Sequence, residues 1–171
     1  MIDLALPSQI VPGLRPLIEP EIDGTNQFTH YIEIKSSDFP GGLAIAAPFV
    51  GTFATFPKYC RVNNVALIVQ QGFEDTGDPA NNSVLIDIGE IGALTGWIAA
   101  AQCAAKSGSL IKVAWKTGAT AVPKDYAADT NQVFTVTPMA GKTLSNLRKG
   151  SVIVLYNLFK FPFPVDKGSS A

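Results

Sequence analysis

The most regular feature of the chain is an alternation of apolar and polar positions with a period of two. Gln27 to Lys35 sets Phe28, His30, Ile32 and Ile34 against Thr29, Tyr31 and Glu33. That is the pattern of a half-buried strand, with His30 on its more apolar face. Residues 110–116 (LIKVAWK) and 133–137 (VFTVT) alternate likewise, and Val84, Ile86 and Ile88 share one face of 83–89. The continuous VALIV within 62–71 predicts a buried strand, and SVIVLYNLF at 151–159 is the strongest strand signal in the chain. Residues 43–50 and 52–56 are β-like runs divided by Pro48 and Gly51, which predicts a bend or edge strands. Turn residues separate these runs at 77–82, 106–109, 116–120 and 148–150. Seven or eight short strands so connected predict a mostly β fold. The body, residues 25–160, should be a single β-sandwich or a jelly-roll-like or barrel arrangement.

One segment supports two readings. Thr95 to Ala105 (TGWIAAAQCAA) carries five alanines behind a threonine that could cap a short helix. Trp97, Ala99, Ala101 and Cys103 equally alternate as a strand of small residues would.

The two ends do not fit the pattern. In residues 1–24, Pro7, Pro12, Pro16 and Pro20 exclude a helix or a central strand. The segment is nevertheless rich in large aliphatics, unlike a disordered tail. It reads as an extended arm whose Leu4, Leu6, Ile10, Val11, Leu14, Leu17 and Ile18 bind a partner surface. Fully extended, such an arm reaches about 80 Å. Residues 161–171 form an irregular C-terminal tail in which Phe161 and Phe163, spaced by prolines, offer two further apolar anchors.

Composition sharpens this picture. Only 16% of residues are charged and mean hydropathy is positive at +0.22, so a monomer would leave apolar surface in water. A homo-oligomer or larger assembly is expected. Net charge is −1 with the basic residues scattered, which removes the footprint that nucleic-acid binding needs. Asp3 and Pro7 argue against a signal peptide, and the glycines and prolines within 39–57 suit strands better than a membrane span.

The chemistry-bearing residues are few. The single histidine, His30, on an apolar strand face is better explained as a packed residue than as a catalyst, and no nucleophile motif or phosphate loop occurs. Cys60 and Cys103 lie in small, apolar settings that suit reduced thiols, although sequence alone does not exclude a bridge. No zinc spacing exists. Glu74, Asp75, Asp78, Asn81 and Asn82 offer hard oxygens for calcium but lack the EF-hand spacing, and the same residues are what a turn requires. Glu33, Asp87 and Glu90 are expected on solvated faces. No enzyme, cofactor or metal is expected. A carbohydrate-binding sandwich is the alternative, with Trp97, Trp115, Tyr126 and Tyr156 as its available aromatics; the alternation leaves Trp115 on either the core or the solvent side, and core is the preferred assignment.

With its Pro-interrupted aliphatic arm, MIDLALPSQIVPGLRPLIEPEIDG, and its Gly/Ala/Thr/Asn-rich β body ending in SVIVLYNLFKF, the chain resembles the head decoration (cement) proteins of tailed bacteriophages. The resemblance implies a virion structural protein, assembled in the host cytoplasm. It would be a homo-oligomer, commonly a trimer in that group, clamping a major capsid protein on the outside of the shell. A tail or connector component would share the same demands.

Overall fold

The computed structural model describes residues 15–16, 28–39, 46–78, 80–144 and 147–160. Its strands are β1 (Arg15–Pro16), β2 (His30–Lys35), β3 (Phe49–Phe56), β4 (Cys60–Asp75), β5 (Val84–Glu90), β6 (Ala93–Gln102), β7 (Val113–Trp115), β8 (Lys124–Asp125), β9 (Thr130–Pro138) and β10 (Leu147–Lys160). A three-residue 3₁₀ turn, Ser36–Asp38, follows β2. Among the described residues there is no α-helix, and no helix is long and apolar enough to cross a membrane.

Two antiparallel sheets pack face to face. One has the order β1-β2-β10-β4-β7, with β8 also paired to β4; the other has the order β3-β9-β5-β6. The alternation read from the sequence decides what lies between them. From the first sheet Ile34, Val65, Leu67, Val152, Val154 and Tyr156 point inward, and from the second Phe56, Ile86, Ile88, Ile98 and Val136, all in one continuous core. β5 buries Val84, Ile86 and Ile88 completely while Leu85 and Asp87 stay partly exposed. Each such side chain contributes roughly 1.5–3 kcal/mol on burial, which is why a shift of one residue in register is excluded.

Of residues 95–105, those up to Gln102 resolve as strand β6, and none is helical. β5 would otherwise present an open ladder of amide and carbonyl groups, and β6 closes it. The pairing is uneven: Ile86 faces Ala101 and Ile88 faces Ile98, so β6 carries an extra residue opposite Asp87. At this bulge Ala100 takes a positive φ of 51° and donates its N–H to Asp87 Oδ1 at 2.7 Å. The bulge breaks the expected alternation. Ala99 and Ala100 are exposed, while the neighbours Trp97 and Ile98 are both fully buried.

Two other expectations change. Gly51 does not divide two strands, because β3 runs through it; a Cβ there would lie 2.5 Å from Cζ of Phe134, so the glycine makes room for that ring. Residues 148–150 are not a turn but a bulged part of β10. Gly150 sits there at φ 127°, against Phe73.

Candidate interaction surfaces

The outer face of the larger sheet should be polar if it met only water, and it is not. Two cross-strand rows run across it: Glu33, Ile153, Ile68 and Val113, then Tyr31, Leu155, Ala66 and Trp115. Phe28 lies over the second row and stacks on Trp115 with ring centroids 5.9 Å apart. Phe28, Ala66 and Leu155 form a small buried cluster of their own, with Tyr31, Ile68 and Ile153 packed partly exposed against it. Trp115 and Val113 stay 50% and 48% exposed. Of the two sides its alternation left open, Trp115 therefore takes the outer one and not the preferred core position. Strand β7 is only three residues long, and its inward position is taken by Ala114.

Among the described residues, the sandwich is open between the sheets along the side where β2 and β3 run. A cleft of about 720 Å³ is lined by Ile32, Ile34, Phe49, Phe53 and Phe134, with Glu33, Lys35, Asp38 and Thr52 also on its lining. Phe49 and Phe53 both pack on Phe134, at 5.9 and 6.2 Å between centroids.

Several polar groups inside the body are joined to one another, although the buried Tyr156 Oη and Thr135 Oγ1 have no hydrogen-bond partner among the described residues. Glu90 is buried rather than solvated: it accepts a hydrogen bond from Tyr126 Oη at 2.9 Å and pairs with the Lys124 ammonium. That ammonium lies 5.1 Å from the Tyr126 ring centroid and 5.8 Å from that of Trp97. Trp97 Nε1 donates to Gln132 Oε1 at 2.9 Å, and Gln132 is fully buried. Burial, then the Glu90 charge, pushes the phenols of Tyr126 and Tyr156 well above the ordinary tyrosine range. The network joins β8 of one sheet to β5 and β9 of the other, which makes it a staple between layers. Trp97, Tyr126 and Tyr156 belong to the core and offer no ring face to a sugar. Gln132 and Glu90 carried no sequence signal of this role.

His30 faces the core side of β2, with Nδ1 2.8 Å from the Thr29 hydroxyl, and burial lowers its pKa. Cys60 and Cys103 are buried and not bridged; burial pushes the Cys103 thiol up to about 12. In the 74–82 loop, Asp75 accepts from the N–H groups of Gly77 and Asp78 and from Asn81 Nδ2. Asp78 pairs with Lys142, which holds its carboxyl below the usual carboxylate range. These carboxylates thus build the turn. Among the described residues no group of three or more His, Cys, Asp or Glu side chains is placed to hold a metal.

Of the residues assigned to partner binding, Leu4, Leu6, Ile10, Val11, Leu14, Leu17, Ile18, Phe161 and Phe163 all lie outside the described residues. What is described of the arm is Arg15–Pro16, paired antiparallel with Tyr31 and His30.

Comparison with known proteins places this geometry. No family model and no curated protein matches the chain. A solved structure does: a chain of the cyanophage Pam1 capsid asymmetric unit is 18% identical, with a TM-score of 0.53 over 77% of this chain and 82% of that one. At that identity the likeness shows a shared fold.

Proposed function

We propose that this chain is a bacteriophage virion structural protein, of the decoration kind, that docks on other shell subunits and performs no catalysis. The observation that carries the reading is the apolar outer face of the larger sheet, where Trp115, Val113, Ile68 and Ile153 stand in rows that water alone would not favour. The topology supports it too. The eight main strands pair first with last (β2·β10), second with seventh (β3·β9), third with sixth (β4·β7) and fourth with fifth (β5·β6). We read that order as a long antiparallel hairpin rolled into two sheets, in the manner of the jelly rolls that recur in viral capsid and lectin domains. The shared fold with a cyanophage capsid chain points the same way.

The test is sedimentation with particles. A tagged chain, produced together with heads of the phage that carries its gene, is expected to travel with the heads in a density gradient. Trp115→Ser combined with Ile153→Asn is expected to release it while leaving its unfolding transition in place. Wild-type chain that stays at the top of the gradient overturns the reading. In that outcome the half-exposed Trp115 indole, on a fold that lectins also use, makes glycan binding the next assay.

A further inference from the structure

Among the described ion pairs, one stands apart in its surroundings. The carboxylates of Glu33, Glu74, Asp78 and Asp125 keep 30–60% of their side-chain surface in water, whereas Glu90 keeps 8%. Its Oε1 meets Lys124 Nζ, and its Oε2 accepts from Tyr126 Oη at 2.9 Å. The rings of Tyr126 and Trp97, with centroids 5.1 and 5.8 Å from Nζ, fill space that water would otherwise hold. A primary amine, a carboxyl group and a phenolic O–H are therefore gathered at one point between the sheets. Those are the parts from which an amide bond is made.

We propose that Lys124 and Glu90 condense to an isopeptide bond, a covalent link between β8 of the larger sheet and β5 of the smaller one.

The step balances with the groups already present. One proton passes from the Lys124 ammonium to Glu90 Oε1, which leaves an amine and a carboxylic acid and removes two charges from a place where charge is costly. The amine lone pair attacks Cδ of Glu90, as a desolvated lysine does. Tyr126 Oη–H, already on Oε2, stabilises the negative charge that gathers there in the tetrahedral intermediate. Burial and the Glu90 charge hold the Tyr126 phenol well above the ordinary tyrosine range, so it stays a donor. Oε1 takes a second proton from the nitrogen and departs as water, and Oε2 becomes the amide carbonyl. No electrons are exchanged with any other species.

Between free molecules in water such a condensation is unfavourable. Here the fold holds both groups in contact, which raises their effective concentration far above any reached in solution. Lys124 retains 30% side-chain exposure, a way out for the released water. The link has a mechanical use as well. β8 is two residues long and pairs only with Arg61 and Val62 of β4. An amide to Glu90, 34 residues away in the chain, would fix it to the opposite sheet and close a loop that survives unfolding.

The experiment is mass spectrometry on the full chain, purified folded and then denatured. The expected intact mass is one water molecule below that of the sequence. Trypsin should release residues 62–106 and 117–142 as one branched peptide, uncut after Lys124. Lys124→Arg keeps a cation on the carboxylate but lacks the amine, and its mass should equal that of its sequence. In Tyr126→Phe the linked fraction should be incomplete and rise on incubation; linkage as complete as in the wild type overturns the role given to that phenol. Wild-type protein at its full sequence mass overturns the proposal. A water loss that persists in Lys124→Arg, or that maps to any other pair of peptides, overturns it too. Should Lys124→Arg fail to fold, the wild-type mass and branched peptide decide alone.

Discussion

Replacing Gln132 by leucine removes one acceptor from a place where nothing can substitute for it. Gln132 is fully buried, and its Oε1 is the acceptor for the Trp97 indole N–H at 2.9 Å. Its Nε2 makes only long contacts, 3.4 Å to Tyr126 Oη and 3.4 Å to the Thr130 carbonyl, so little is lost there. Leucine is close in size to glutamine, so the cavity contribution is small. What remains is an orphaned N–H in the core beneath the Lys124 side chain. A buried unsatisfied donor costs about 1–3 kcal/mol. For a chain of this length that corresponds to roughly 2–12 °C in melting temperature. Urea unfolding followed by far-UV circular dichroism reads the change in every variant, including those that lack Trp97. The decisive comparison is a double-mutant cycle with Trp97→Phe. Without the indole there is no donor to orphan, so Gln132→Leu should cost markedly less in that background. Equal losses in both backgrounds would refute the argument, and so would a neutral Gln132→Leu.

Two further measurements test the interior. Burial lowers the pKa of His30 in the fold, so as pH falls below the ordinary value of about 6.5 the unfolded chain takes up a proton that the folded chain refuses. Stability is thus complete above about pH 6.5 and declines below it; His30→Asn should flatten melting temperature between pH 7.5 and 5.5, and parallel profiles would contradict this. Cys60 and Cys103 are 1% and 0% exposed, with the Cys103 thiol at about 12. Neither should react with a thiol reagent in the native protein, and both should react once it is unfolded. Rapid labelling of either in the native state would show that the core around it is open.

The strands that were legible from the chain are those whose burial is regular along one element. VALIV in β4 and SVIVLY in β10 announce themselves because each has β-branched and aliphatic residues on both faces. The second face of these strands is also what makes the outer surface apolar, and sequence does not say which of the two faces meets the other sheet. β6 was ambiguous because its information lies elsewhere. The bulge at Ala99–Ala100 is set by Asp87 of β5, and Trp97 turns inward because Gln132 of β9 waits for its N–H. Glu90 reads as a surface acid in sequence, since Lys124 and Tyr126 reach it only through the fold. Trp115 was misplaced for a similar reason: alternation gives the phase of a strand, but only the pairing of Trp115 with Ala66 shows that its side is outward.

The placement of β10 has a consequence for synthesis. Val152 pairs with Ile34 on one side and with Val69 on the other, so the last described strand is a central strand of the larger sheet. While the ribosome is still adding residues 84–144, β2 and β4 have no common neighbour and that sheet cannot close. Its ladder is as non-local as the chain allows, which makes folding slow relative to local structure. The outer apolar face exists as a surface only after β10 has entered between its two partners. A nascent chain therefore cannot complete that apolar face until β10 has taken its place between β2 and β4.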